Sequence, residues 1–476
     1  MAPAALSADS HVVPHVAIFP FMAKGHTIPL IQLVHHLRRR RLATVTLFTT
    51  PGNAAFVRDG LSGADDTVIV KLAFPAGVPG VPAGVESAEG LTSVASFVAF
   101  AGAVSLLQPQ LEASLAAMEP PPSLLVADAF LYWANESAAR IGIPKLSFFG
   151  ISAFAQVMRE LRIRHDPCAV MRPGDVDGDG KPATFTVPEF PHVKLTFEDL
   201  MAPFGDPSSV APMMDLDGKL GKAIEESHGL IINTFHGLES PYAEFWNQHC
   251  VPRAWSVGPL CLSQPAASVS DDDAARPPWM EWLDEKAAAG RAVLYIALGT
   301  LAAIPEAQLK EVADGLEQAE VDFIWAVRPE NIDLGAGFED RTKDRGLVVR
   351  EWVDQPEILR HVSVGGFLSH CEWNSVLESV TAGVPLAVWP MQADQPFNAR
   401  FVVEELKIAV RVQSGDGTMM GLVAGEEVSR AVRELMLGEV GTEAAKNVAD
   451  LSMLAKEAVS EGGSSWKAVE EMISEL

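Results

Sequence analysis

Two side chains suited to proton transfer follow apolar runs in the N-terminal half of the chain. His26 follows the run 15–21, and Asp128 follows the run 124–127. An imidazole titrates near neutral pH and can take a proton from a hydroxyl group, while a carboxylate can hold that imidazole in the required tautomer. The two residues therefore predict a general base and its orienting acid. Each also has an ordinary explanation as a helix cap.

A second group of polar residues, in the C-terminal half, suits an anion. His370 follows a predicted strand at 362–368, and a helix is predicted from about Asn374 to Ala382, with Gly383 just past its end. Unpaired N–H groups and the helix dipole make such a turn an anion site. The turn predicts a diphosphate site.

Both groups need the same kind of scaffold. Residues 15–21 and 43–49 are predicted as buried strands, and apolar residues at helical spacing lie between them. A strand, helix and strand in succession predict a parallel, doubly wound sheet, in which ligands bind beyond the carboxyl ends of the strands. Residues 291–300, 305–319 and 323–327 predict a second unit of this kind.

Residues 352–395, a stretch of 44 positions, contain the pattern W-x-x-Q, GGF-x-x-HC, WNS-x-x-E and DQ. This stretch resembles the signature box of the plant UDP-sugar-dependent glycosyltransferases of family 1, the secondary-product type. The resemblance implies an α/β chain with the GT-B fold, in which two doubly wound, Rossmann-like domains face each other across a cleft. It also implies an inverting transfer of a sugar from UDP to an acceptor.

The resemblance assigns roles to residues of both halves. His26 would be the base and Asp128 its partner. The UDP-sugar would be bound by Thr300, Trp352, Val353, Gln355, His370, Trp373, Asn374, Ser375, Glu378, Asp394 and Gln395. Trp352 would stack on the base of the nucleotide, and Gln395 and Trp373 favour glucose as the sugar. Acceptor-binding residues cannot be assigned, and no metal or other cofactor is required.

The sequence therefore predicts transfer of glucose from UDP-glucose to a hydroxyl group of a flavonoid, another phenolic or a terpenoid. The alternatives are C-glycosylation of a phenolic ring and a catalytically weak protein that binds sugar nucleotides. A sugar-nucleotide epimerase could share the fold, but its family is a poorer match. A dinucleotide oxidoreductase lacks support, since no GxGxxG follows the first strand.

Two positions depart from the family pattern. Glu372 stands where the family usually has glycine, and Asp354 where it commonly has proline. A carboxylate near a diphosphate is repelled by it, so we expect Glu372 to point to solvent and to cost some donor affinity. The segment WVDQ should still place Trp352 and Gln355.

The length of 476 residues suits two domains. We predict an acceptor-binding domain at 1–261, a linker at 262–277, a UDP-sugar-binding domain at 278–455, and a final helix at 456–476 that crosses back to the first domain.

Composition excludes several classes of protein. The net charge of −26 argues against binding to nucleic acid. The four cysteines form no CxxC pair, which argues against a zinc site or a disulfide framework. An aspartate-rich loop at 173–182 resembles the start of a calcium loop but lacks its final glutamate. Without a signal peptide or membrane anchor in the sequence, we expect a cytoplasmic monomer.

Overall fold

Two parallel sheets with helices on both faces form most of the structure. The computed structural model describes residues 13–64, 66–200, 207–263, 276–299, 304–328, 332–415, 418–419 and 421–475. The predicted linker lies mostly outside these residues, so the predicted domain limits stay predictions.

The N-terminal sheet has seven strands in the order β3-β2-β1-β4-β5-β8-β9, and two further strands, β6 and β7, form an antiparallel pair. The strands are β1 (His15–Phe19), β2 (Thr44–Thr49), β3 (Val68–Lys71), β4 (Leu124–Asp128), β5 (Lys145–Phe149), β6 (Thr184–Thr186), β7 (Lys194–Thr196), β8 (Gly229–Ile232) and β9 (Ala254–Ser256). The helices of this half are α1 (Lys24–Arg39), α2 (Ala54–Gly60), α3 (Val94–Val104), α4 (Gln108–Ala116), α5 (Ala134–Ile141), α6 (Ala153–His165), α7 (Phe197–Leu200), α8 (Pro207–Glu225) and α9 (His236–His249).

The C-terminal sheet has six parallel strands in the order β12-β11-β10-β13-β14-β15. They are β10 (Val293–Ala297), β11 (Asp322–Ala326), β12 (Gly346–Val349), β13 (Val364–Ser369), β14 (Leu386–Val388) and β15 (Ala409–Arg411). The helices are α10 (Pro278–Ala288), α11 (Glu306–Ala319), α12 (Phe338–Thr342), α13 (Gln355–Leu359), α14 (Trp373–Ala382), α15 (Gln395–Arg400), α16 (Gly425–Leu437), α17 (Glu439–Val459) and α18 (Ser464–Ser474). A π-helical turn, Phe401–Glu405, follows α15.

The central strands are mostly apolar and are buried along their whole length because helices cover both faces of each sheet. Every residue of β1, β4 and β5 is buried. This is the doubly wound arrangement that the sequence predicts. The carboxyl ends of β1 and β4 lie side by side, since these two strands pair in parallel. That edge of the sheet carries His26 and Asp128.

The last helix packs on the N-terminal half. Val469 and Met472 of α18 are buried in the core formed by β1, β2 and α1. Arg253 binds Glu471 with an N–O distance of 2.8 Å. Further toward the cleft, buried Asp199 binds Arg400 at 2.6 Å and joins the two halves directly. The halves are thus held together by contacts well away from the linker.

One apolar stretch of the N-terminal half forms two helices in succession. α3 ends at Val104 and α4 begins at Gln108, with a 3₁₀ turn at Ser105–Leu107 between them and Pro109 in the first turn of α4. By length and composition alone, Val94–Ala116 is apolar enough to span a membrane. Its side chains Phe100, Val104 and Leu111 are buried in the core of the N-terminal half, as expected of a core helix.

Candidate active site

His26 and Asp128 meet at the edge of the N-terminal sheet. His26 lies in the first turn of α1, directly after β1, and Asp128 is the last residue of β4. The His26 Nδ1 and Asp128 Oδ2 atoms are 2.7 Å apart. Asp128 is fully buried, whereas 24% of the His26 side chain is exposed. Since Nδ1 is held by the carboxylate, Nε2 is the ring nitrogen left to accept a proton.

Phe130 contacts both members of this pair. Its backbone N–H donates to the second carboxylate oxygen of Asp128 at 2.9 Å. Its ring packs edge-on against the imidazole of His26, with 5.3 Å between ring centroids. Phe21 packs on the imidazole in the same way, at 5.6 Å. The imidazole therefore has one supported orientation.

The charges around His26 favour its protonated form. Burial lowers the pKa of the imidazole, but the hydrogen-bonded Asp128 carboxylate raises it, and Glu372 and Asp394 add to this effect. The net result is a His26 pKa above the ordinary value of 6.5. A stronger base than free histidine results, and the imidazolium formed by proton transfer is stabilised.

The anion site predicted in the C-terminal half faces this pair. β13 ends at Ser369, and the chain turns through Cys371, which has a φ of 68°, before α14 begins at Trp373. Asn374, in the first turn of α14, donates from Nδ2 to the backbone carbonyl oxygen of Gly25 at 2.6 Å. The N-terminus of α14 therefore lies against the turn that carries His26.

Gln355 organises the polar side of α14. Its Nε2 donates to Glu378 Oε2 at 2.7 Å and to Ser375 Oγ at 3.1 Å. The Tyr295 hydroxyl donates to the Gln355 Oε1 at 3.2 Å. Burial raises the pKa of Glu378 to about 7. The structure thus brings Gln355, Ser375 and Glu378 together, as the predicted nucleotide site requires.

Trp352 presents its ring to the cleft. About half of its side chain, 52%, is exposed, although the residue is large and apolar. The Lys24 Nζ lies 4.2 Å from the ring centroid, and the Arg328 guanidinium lies 5.2 Å from it. Next to it, Val353 is buried in the core. Asp354 caps α13 by accepting from the N–H of Glu357 at 3.0 Å, so WVDQ forms a regular helix start with Asp354 in place of the family's proline.

The predicted sugar-binding pair lies at the start of α15. The Gln395 Oε1 accepts from the N–H groups of Met391 and Gln392 at 2.8 and 3.0 Å, which fixes the preceding loop. The Asp394 carboxylate accepts from Asn398 Nδ2 at 2.7 Å. Burial raises the pKa of Asp394 to about 6.

Two interpretations from the sequence are corrected. The Trp373 side chain is fully buried, and its indole N–H donates to the Asn233 carbonyl oxygen at 2.8 Å, so it faces the N-terminal half and not a sugar. Glu372 does not point away from the site: 37% of its side chain is exposed, but its carboxylate lies 3.1 Å from the His370 Nε2. Thr300, also predicted to bind the donor, lies outside the described residues.

Sequence reasoning missed three contributors to this site. Lys24 contacts Trp352, and Phe130 contacts both His26 and Asp128. Asn398 links the halves, since it accepts from the Ser152 hydroxyl and donates to the carbonyl oxygen of Cys371. Asn398 follows Asp394 by four residues on one helix, and this spacing could have predicted a contact between the two side chains. Among the described residues, no three His, Cys, Asp or Glu side chains cluster as a metal site would require.

Known proteins share both the sequence and this architecture. Residues 269–459 match the family model described as UDP-glucoronosyl and UDP-glucosyl transferase. UDP-glycosyltransferase 90A1 of Arabidopsis thaliana is 43% identical over 97% of this chain and 96% of its own length. Among solved structures, Phytolacca americana UGT2 in complex with UDP-2fluoro-glucose and pterostilbene is 29% identical, with a TM-score of 0.80, over 97% of this chain and 99% of that one.

A second solved structure is similar to this chain in sequence and in fold. Glycyrrhiza uralensis UGT73P12, complexed with glycyrrhetinic acid 3-O-monoglucuronide, is 30% identical, with a TM-score of 0.82, over 98% of this chain and 96% of that one. The predicted GT-B fold is confirmed. The chain belongs to the family 1 UDP-glycosyltransferases of plants, and it is a glycosyltransferase that uses a UDP-sugar.

Proposed function

We propose that the enzyme transfers glucose from UDP-glucose to a hydroxyl group of a small hydrophobic metabolite, with inversion at the anomeric carbon. The observation that carries the proposal is the pairing of His26 with Asp128 directly opposite the N-terminus of α14. A base and a site for a leaving diphosphate then lie on opposite walls of one cleft. This is the arrangement that a single displacement needs.

The proposed reaction has one chemical step. The acceptor oxygen attacks the anomeric carbon while its proton passes to the His26 Nε2. The bond from the anomeric carbon to the β-phosphate oxygen breaks, its electron pair stays on the diphosphate, and UDP leaves. Asp128 stabilises the imidazolium that forms. Attack from the side opposite the leaving group inverts the anomeric configuration.

The donor would lie along the C-terminal wall. Trp352 would stack on the uracil, and Glu378 would accept from the ribose hydroxyls. His370 and the N–H groups at the start of α14 would stabilise the diphosphate, so that the step requires no metal. Asp394 and Gln395 would bind sugar hydroxyls, and the Gln395 amide nitrogen is available because its oxygen already accepts from the loop. We also propose that the enzyme acts in the cytoplasm.

Aromatic side chains next to the base support an apolar acceptor. The rings of Phe97 and Phe149 contact Phe130, which in turn packs on His26. The solved relatives were found with pterostilbene and with a glucuronide of glycyrrhetinic acid. These observations support a flavonoid, another phenolic or a terpenoid as acceptor.

The test is mass spectrometry of the products from a panel of phenolic and terpenoid acceptors with UDP-glucose. We expect a product heavier by one hexose with the wild type and a large loss of that product with His26→Ala. Acid hydrolysis separates the alternatives, since an O-glucoside releases glucose and a C-glucoside does not. No product from any acceptor, with UDP-glucose still bound, would instead support a catalytically weak binding protein.

A further inference from the structure

The carboxylate of Glu372 fills the space where the diphosphate site is proposed. Glu372 occupies the cap position of α14, but its side chain makes no hydrogen bond to the N–H groups of the helix. One carboxylate oxygen, Oε2, lies 3.1 Å from the His370 Nε2. The other, Oε1, packs so closely against Gly25 that a Cβ atom at Gly25 would overlap it. The carboxylate therefore spans the cleft between His370 and the turn that carries His26.

This position is that of a bound anion. The His370 side chain is buried, and in the described structure its Nδ1 has no hydrogen-bond partner, so its one polar contact is Glu372. The N-terminus of α14 adds its own positive potential. We propose that Glu372 occupies the diphosphate site of the donor-free enzyme, and that a nucleoside diphosphate binds only by displacing this carboxylate. The inference rests on the donor site described under the proposed function.

The surrounding charges make coexistence of the two anions unfavourable. Glu372 faces His370 from its own turn, His26 from α1, Glu378 from α14 and Asp394 from α15. Two of these four groups are themselves carboxyl groups. Like charges within about 4 Å repel strongly at the effective dielectric constant of a partly buried site. A diphosphate that enters must therefore move the Glu372 carboxylate away from His370.

The Glu372 carboxylate would compete with the phosphates of the nucleotide and not with its uracil. Glu372 contacts His370 and Gly25, whereas Trp352, on which the uracil is proposed to stack, is contacted by Lys24. A nucleoside without phosphates would meet Lys24 but not the Glu372 carboxylate. UDP and uridine should consequently respond differently when the charge at position 372 is removed. This difference separates displacement of a resident anion from a general change in the fold.

The experiment measures the dissociation constants of UDP and uridine by calorimetry, with the weaker ligand measured by competition. It compares the wild type, Glu372→Gln, Glu372→Gly and a control, Glu426→Gln, which removes one exposed negative charge at the start of α16. We expect both substitutions at position 372 to tighten UDP binding roughly tenfold. Uridine binding should change less than about twofold, and the control should match the wild type.

Three results overturn the inference. UDP affinity that is unchanged or weaker in both variants would show that Glu372 does not compete with the diphosphate, while the proposed function would stand. An equal gain for uridine and UDP would place the effect outside the phosphate site. Failure of the wild type and all variants to bind UDP would overturn the inference and the proposed donor site together. Thermal unfolding of each variant confirms that the compared proteins are folded.

Discussion

The Asn374 side chain donates a hydrogen bond from Nδ2 to the Gly25 carbonyl oxygen at 2.6 Å, across 349 positions of sequence. This contact joins the first turn of α14 to the first turn of α1, at the residue immediately before His26. The proposed base and the proposed site of the leaving group thus touch through neighbouring residues. Their separation is set by direct packing and does not depend on the linker between the halves.

The pH dependence of activity should follow the His26–Asp128 pair. A general base acts when it is unprotonated, so activity is lost as the pH falls through the pKa of His26. Because Asp128 raises that pKa, the acid limb of kcat/KM should lie above pH 6.5 in the wild type. Asp128→Asn removes the raising charge while burial remains, so the limb should move to lower pH.

The same substitution should lower the plateau of kcat/KM by roughly tenfold or more, since an amide does not stabilise the imidazolium. Asp175→Asn, on an exposed loop, serves as the control. An acid limb that stays at the same pH in Asp128→Asn would contradict the assignment of the limb to this pair.

Trp352→Ala should weaken UDP binding. Loss of a stacked base costs about 1–3 kcal/mol by alanine substitution, which corresponds to roughly 5- to 150-fold in the dissociation constant. Trp352→Phe keeps an aromatic ring and should lose less. Calorimetry with UDP makes the comparison. If the alanine variant binds UDP as tightly as the wild type, the uracil does not stack on Trp352.

Trp373→Phe should lower stability without changing donor use. The substitution removes the indole N–H and leaves the buried Asn233 carbonyl oxygen without that donor, at a cost of about 1–3 kcal/mol in the free energy of unfolding. Denaturant unfolding measures this loss, and initial rates measure the KM for UDP-glucose. A raised KM with unchanged stability would restore the interpretation of Trp373 as a sugar contact.

The pairing of His26 with Asp128 could be predicted because it follows from topology. His26 follows β1 and Asp128 ends β4. Because β1 and β4 are neighbours in a parallel sheet, their carboxyl ends coincide. Part of the predicted nucleotide site could also be read from spacing. Ser375 and Glu378 lie three residues apart on one predicted helix and so share a face. The place of Gln355 was implied only by the family resemblance, since it contacts them from 20 and 23 positions away.

The directions of Glu372 and Trp373 could not be predicted. Both follow Cys371, whose φ of 68° lies in the left-handed region that non-glycine residues rarely adopt. This conformation turns the chain so that Trp373 reaches Asn233 and Glu372 reaches His370. Nothing in the local sequence marks Cys371 for that conformation, in which its N–H donates to the Ser369 hydroxyl oxygen and its carbonyl oxygen accepts from Asn398.

The measurement that tests the central claim most directly is the turnover of His26→Ala with UDP-glucose and an accepted phenol, together with its affinity for UDP. A positioned base contributes about 10²–10⁴-fold, so kcat should fall by that factor while UDP binds within about twofold of the wild type. Substitution of the exposed His228 by alanine should change neither value. A kcat within about threefold of the wild type, or a loss confined to UDP affinity, would contradict the role of His26 as the base.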